Sequence, residues 1–416
     1  MKHDPSSNYP FTPTGSLIRY LVFPPFKSPM SRNTHVSTKG YNDIDSLVRL
    51  ASHSISMTIL KSNSRVRREP IGLIDMKRIG LGFSGVPLSV PQLVEYAKLA
   101  EKKRFDSFWI AEDYFLRDAF CPLSAIAFAT RKIRLGSGVV NPYTRHTVLL
   151  AETIATLDEI AKGRSILALG TGVISLIQQM GIKVEKPLQM MRESVEIIRR
   201  LLAEEETTYQ GSILQVNKVK FGANPYFDLV GRFKPLRKRI PIYLAAMGPK
   251  MLQLAGEIGD GVLFSVGLPP PYVKYAIENL TIGAKRANKS MSEFDVGCYI
   301  ACAPLKKNKP AGKVIRGFVA FMVSYASEGV LKMSNLESSD ALRIREVLEK
   351  EGMAEASKHV SDEMIDALGA FATPEKIIER IEEYESYGAK LPILMPLPPD
   401  YRLAVEIGER YAKSRR

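Results

Sequence analysis

From Lys77 to the end of the chain, short apolar runs alternate with longer segments whose apolar residues recur every three or four positions. The runs are rich in Ile, Leu and Val with few polar positions, the pattern of strands buried on both faces. "RIGLGF" (78–83) precedes the amphipathic "VPQLVEYAKLAEKKR", and "SFWIA" (107–111) precedes "AFCPLSAIAFATR". "IRLGSGVV" leads to "TVLLAETIATLDEIAKG", where Gly163 suits a helix C-cap, and "RSILALG" (164–170) leads to "PLQMMRESVEIIRRLLAEE". After a loop, "IPIYLAA" (240–246) precedes "PKMLQLAGEIG", and "DGVLFSVG" precedes "PPYVKYAIENLTIGAKRAN". "FDVGCYIACA" (294–303) enters a long helical region, and "KLPILMP" (390–396) enters "DYRLAVEIGERYAKS".

Eight strands, each followed by helix, predict an α/β fold with a parallel sheet covered on both sides. The arrangement that fits is a (β/α)8 TIM barrel with insertions, and a doubly wound sheet is the alternative. Residues 1–75 break the pattern: they are rich in Ser, Pro, Thr and Asn, and only "YNDIDSLVRLASHSISMTIL" could form a short helix. They read as a disordered or non-native extension, with Met76 a candidate start and residues 76–416 the barrel domain.

Composition changes this picture little. The 416 residues are 45% hydrophobic, and no apolar run approaches the roughly 18 residues of a membrane span. Cys298 and Cys302 lie four apart in one strand, on the same face but about 13 Å from each other, too far for a disulfide. With Cys121 they form no metal-ligand spacing, which suits a reducing cytoplasm. The net charge of +14 raises nucleic-acid binding, but the basic residues are spread along helices, with "GRFKPLRKR" (231–239) the densest patch. That patch reads as a solvated loop or as an attractor of anions.

Barrel chemistry gathers at the C-terminal ends of strands. The second strand ends at Glu112, Asp113 and Tyr114, adjacent carboxylates able to act as acid and base, or one to cap the next helix. The third ends "GSGVVN", with glycines where a strand normally carries side chains, as if something must approach the backbone. The fourth ends "LGTGV" (169–173), and the fifth "AAMGPKM" (245–251), where Pro249 opens a helix whose free N–H groups suit an anion. Glycine-bearing rims of this kind suggest a large flat ligand with a phosphate tail.

"IRLGSGVVNPYTRH", "AETIATLDEIAKGRSILALGTG" and "IPIYLAAMGPKMLQLAGEIGDGVL" resemble the luciferase-like monooxygenase superfamily, and within it the coenzyme F420-dependent branch that includes methylenetetrahydromethanopterin reductase. The similarity runs from about Lys77 to the C-terminus and includes "DALGAFATPEKIIERIEEYESYGAKLPILMPL". The resemblance implies a luciferase-like (β/α)8 barrel with an insertion after the seventh strand, fitting 304–370. It implies a non-prolyl cis peptide at Gly138–Val139 behind the isoalloxazine-type ring, with Asn141 beside that ring. It places Gly170, Thr171 and Gly172 near the phosphate-bearing tail, and Met247, Gly248 and Pro249 at the phosphate loop. Glu112 and Asp113 fall where the family carries a polar pair, and are the candidate proton donor or orienting groups. Tyr143, Arg145 and His146 follow the bulge, as further cofactor or substrate contacts or, for His146, a helix cap.

Two positions depart from the reductase pattern. The family's strand-one glutamate falls on Gly82, and its acidic residue after the strand-four glycines falls on Val173, so the substrate end differs while the cofactor end is kept. The expected activity is hydride transfer between coenzyme F420 and a small organic substrate, by a cytoplasmic homo-oligomer without nucleic-acid or membrane partners. The alternatives are an FMN-dependent monooxygenase and a cofactor-binding paralogue without reductase activity.

Overall fold

The computed structural model describes residues 76–85, 87–223, 233–304 and 310–414. The extension assigned to residues 1–75 lies outside them.

The strands are β1 (Gly80–Phe83), β2 (Ser107–Ile110), β3 (Arg134–Ser137), β4 (Ser165–Leu169), β5 (Thr207–Gln210), β6 (Gln215–Val219), β7 (Ile242–Ala245), β8 (Gly261–Phe264), β9 (Asp295–Pro304), β10 (Ala370–Ala372) and β11 (Leu391–Pro396). The parallel order β11-β1-β2-β3-β4-β7-β8 is closed by β9, which pairs with both β8 and β11. The sheet is therefore a barrel, and the doubly wound alternative is excluded because both ends of the order meet on β9. That strand is ten residues long: β8 pairs with its first half, and β10 with its end, Cys302–Pro304.

Period-two alternation sends successive side chains to opposite faces. Outward residues such as Leu81, Phe108, Leu135, Leu167, Leu244 and Val262 meet the surrounding helices. Inward residues such as Trp109, Ile166, Tyr243, Leu263, Tyr299 and Ile393 fill the interior. The helices start where the sequence supplies caps. Ser89 accepts from the Gln92 N–H at 3.4 Å while the Gln92 side chain accepts from the Ser89 N–H at 2.8 Å, a reciprocal box opening Val90–Lys102. Gly163 takes φ +81° after helix Thr147–Ile160 and donates to Asp158 O, the turn its lack of a side chain permits.

One segment differs from expectation. The stretch after helix Pro187–Leu202 contains the antiparallel hairpin β5–β6 rather than only loop. Its tip is anchored by buried Glu193, whose carboxylate accepts from the N–H groups of Ser212, Ile213 and Leu214. The insertion after β9 is helical as expected, with helices Pro310–Tyr325, Glu328–Met333, Ser338–Glu351, Met353–Ala356 and Asp362–Leu368. Among the described residues, no helix is long and apolar enough to cross a membrane.

Candidate active site

The C-terminal ends of β1 to β4 and β7 form one mouth. The third strand ends at Ser137, the Gly138–Val139 peptide is cis, and Val140 regains the sheet through a bridge to Leu169. The interruption lies where the resemblance implied it.

Glu112 and Asp113, adjacent in sequence, are drawn apart by their partners. Asp113 accepts from Ser84 Oγ and from the Gly85 N–H, both at 2.7 Å, and so ties the β2 exit to the β1 exit. Glu112 accepts from the Ala119 N–H at 3.2 Å, at the start of helix Phe120–Ala129, and faces Arg145 at 3.8 Å. Burial raises the Glu112 carboxyl above the ordinary glutamate range, against the pull of the Ala119 N–H and the Arg145 charge. Arg145 is held mainly by Asp118 at 2.9 Å and lies over the Phe120 ring. The two carboxylates thus bind different partners rather than each other, and burial pushes the Glu112 carboxyl up.

Tyr114 joins three strand exits. Its hydroxyl accepts from Asn141 Nδ2 at 2.8 Å, lies beside the Val173 backbone N–H, and takes the space where a Cβ on Gly172 would sit 2.2 Å away. Asn141 is buried, and its Oδ1 accepts from the Tyr143 and Thr144 N–H groups, both at 2.9 Å. It therefore builds the turn as well as bordering the mouth. Tyr143 donates to Glu185 O at 2.9 Å, and His146 Nδ1 accepts from the Val148 N–H at 3.3 Å as a helix cap.

On the inward side of the strand glycines the space is taken by aromatic side chains. A Cβ on Gly136 would lie 2.1 Å from the Trp109 ring, and a Cβ on Gly138 would lie 2.1 Å from the Tyr299 hydroxyl. Side chains were given up on the inward face of β3 to seat these two aromatic residues, not to admit a ligand directly onto Gly136. Gly82 is explained in the same way, since its Cβ would meet Tyr299 Cε1 at 2.4 Å. The second departure, Val173, sits on the rim with its side chain 48% exposed.

Beside this floor, Gly170 packs under Val139 and against Ala245, which brings Gly170, Thr171 and Gly172 next to the β7 exit. There Gly248 caps helix Pro249–Ile258 without a side-chain hydrogen bond, and a Cβ on it would meet nothing within 4 Å. The Met247 carbonyl is taken by the Tyr272 hydroxyl, and the Met247 side chain is 47% exposed. An open backbone cradle at the positive end of a helix suits a phosphate, so this corner fits the anionic tail of a deazaflavin cofactor.

At the opposite, N-terminal end, sequence reasoning missed a charge network. Arg78 forks onto Asp295 at 2.6 and 2.9 Å and reaches Asp106 at 3.0 Å; Arg134 also binds Asp106, and the Tyr243 hydroxyl binds Asp295. Burial opposes the Asp295 charge, but the Arg78 hydrogen bonds and charge outweigh it and hold the carboxyl below its ordinary value. The signal was present: each of these four charged residues stands at or just before the start of a strand. Two arginines of the basic patch are paired, Arg237 with buried Asp158 and the exposed Arg239 with Asp260, each at 2.6 Å.

The closed parallel barrel, with a mouth built from strand-exit turns, defines a (β/α)8 protein of the kind that carries chemistry at that end. Residues 72–391 match the luciferase-like monooxygenase family, and the chain belongs to it. It is 38% identical over 332 residues to a 5,10-methylenetetrahydromethanopterin reductase of Archaeoglobus fulgidus, covering 78% of this chain and 96% of that one. It is 35% identical to a reductase of the same name from Methanolobus tindarius, covering 78% and 97%. The solved structure of the coenzyme F420-dependent tetrahydromethanopterin reductase of Methanopyrus kandleri superposes with a TM-score of 0.70 at 28% identity, covering 80% of this chain and 98% of that one.

Proposed function

We propose that this protein transfers a hydride between coenzyme F420 and a small one-carbon-carrying pterin, as a reductase of the methylenetetrahydromethanopterin type. The observation that carries this reading is near-complete alignment with reductases of that name, at 38% identity over 96% of one relative's length. The site is compatible with it. The corner formed by Gly170, Thr171, Gly172, Met247, Gly248 and Pro249 would hold the phosphate-bearing tail, and Gly138, Val139 and Asn141 would border the ring. When bound, the cofactor supplies the carbon that gives or accepts the hydride.

The chain's own residues bind, orient and exclude water. Glu112, whose carboxyl burial raises above the ordinary glutamate range, is the proposed proton donor or orienting acid at the mouth. Asp113 holds the β1 exit in place through Ser84 and Gly85. Gly82 and Val173 leave the substrate side without the two carboxylates of the reductase pattern, and Asp113 is engaged by Ser84 and Gly85, so Glu112 is the acid we propose there. We place the protein in the cytoplasm as a homo-oligomer, in keeping with its three free cysteines and the exposed apolar Phe128 and Leu149 on neighbouring helices.

The test is anaerobic turnover of the full chain with reduced F420 and methylenetetrahydromethanopterin, followed by the return of the oxidised cofactor's absorbance. Reoxidation that depends on the pterin supports the assignment. Tight F420 binding without pterin-dependent reoxidation contradicts the substrate, and oxygen-dependent reaction with FMN contradicts the cofactor.

A further inference from the structure

Tyr299 projects inward from the middle of β9 and is only 8% exposed. Glycines on two other strands make its place, since a Cβ at Gly82 or Gly138 would lie 2.4 or 2.1 Å from its atoms. Its hydroxyl donates to the Gly138 carbonyl at 3.3 Å. The residues just beyond are held from the other side, where the Glu112 N–H donates to the Val139 carbonyl at 3.3 Å. Burial, and then the Asp113 charge, push the phenol well above its ordinary value, so the hydroxyl stays a donor at any working pH.

A phenylalanine would fill the space over Gly82 and Gly138 as well as tyrosine does. The hydroxyl adds one thing, a fixed partner for a carbonyl at the interruption of the third strand. We infer that Tyr299 is a positioning residue of the mouth: its hydroxyl sets the height of the Gly138–Asn141 segment, on which the cofactor ring rests in the function proposed above. The role depends on that function, and it assigns to β9 a part in orienting a ligand that contacts β3.

The test compares the full chain with Tyr299→Phe, which keeps the ring and removes the hydroxyl. F420 affinity and the absorbance spectrum of the bound cofactor are read by titration, and kcat and KM by turnover. The expected result is an affinity loss of about fivefold, the size of one neutral hydrogen bond, with a displaced bound-cofactor spectrum. At saturating cofactor, kcat falls by about the same factor while KM for the second substrate is unchanged. A purely space-filling tyrosine would leave affinity, spectrum and kcat at parental values, and that result overturns the inference. Gly82→Ala supplies the second test, because its Cβ displaces the ring while keeping the hydroxyl. It should lower F420 affinity in the parent and add nothing in the Tyr299→Phe background; additive losses also overturn the inference. If the parent itself fails to bind F420, the proposed function falls and the positioning role with it, a result distinct from a parent that binds and a variant that matches it.

Discussion

Glu112 and Asp113 show how far identical chemistry can diverge one position apart. Burial makes ionised Glu112 costly to the fold, so its folded pKa lies above its unfolded one. Its contribution to stability is present below the unfolded value and is lost as pH rises through the folded one. Glu112→Gln should therefore leave the urea midpoint at pH 7 no lower than the parent's, while kcat falls about 10²-fold and the alkaline limb of the kcat profile disappears. An unchanged kcat would remove Glu112 from the chemistry. Asp295 has the opposite sign. Its depressed carboxyl adds stability above the unfolded value of about 3.9, and this is lost as pH falls through the folded one. Asp295→Asn leaves Arg78 with Asp106 alone in a half-buried site and should cost about 1–3 kcal/mol in urea unfolding at pH 7. The gap from the parent should narrow in acid, and a constant gap would mean that charge is not its source.

At the scale of elements, the strands and helices of the barrel were legible because their periods differ and their ends carry caps. The inward glycines of β3 were legible as exceptions but not as to cause, because their partners, Trp109 and Tyr299, are distant in sequence and reach them only once the barrel closes. Gly136→Ala forces a methyl group to within 2.1 Å of the Trp109 ring, and overpacking of that kind should cost about 1–3 kcal/mol in thermal unfolding. The hairpin β5–β6 was not legible: only one residue in each strand is fully buried, so "TTYQ" and "QVNKV" lack a strong apolar alternation. What holds its tip is a buried carboxylate on the preceding helix. Glu193→Gln can no longer accept from three backbone N–H groups as an anion, and hydrogen exchange at Ser212–Leu214 should speed up about tenfold or more. Exchange at the parental rate would show that the hairpin holds itself.

Over the whole molecule, the interior follows a rule of large against small. Trp109, Tyr243 and Tyr299 each stand against glycines of other strands, and this lets a barrel with bulky contents close. The charge network seals one end, and the strand-exit turns leave the other free for chemistry. The candidate site was legible only in part. The corner proposed for the cofactor tail was singled out by its glycines and a helix-opening proline, whereas the contacts of Tyr114 and Tyr299 run between strand exits and no local pattern encodes them. The most direct measurement is an anaerobic titration of the full chain with coenzyme F420 and, separately, with FMN. The expected result is tight, saturable binding of the deazaflavin and weak or no binding of FMN; preference for FMN, or binding of neither, would contradict the function proposed for this barrel.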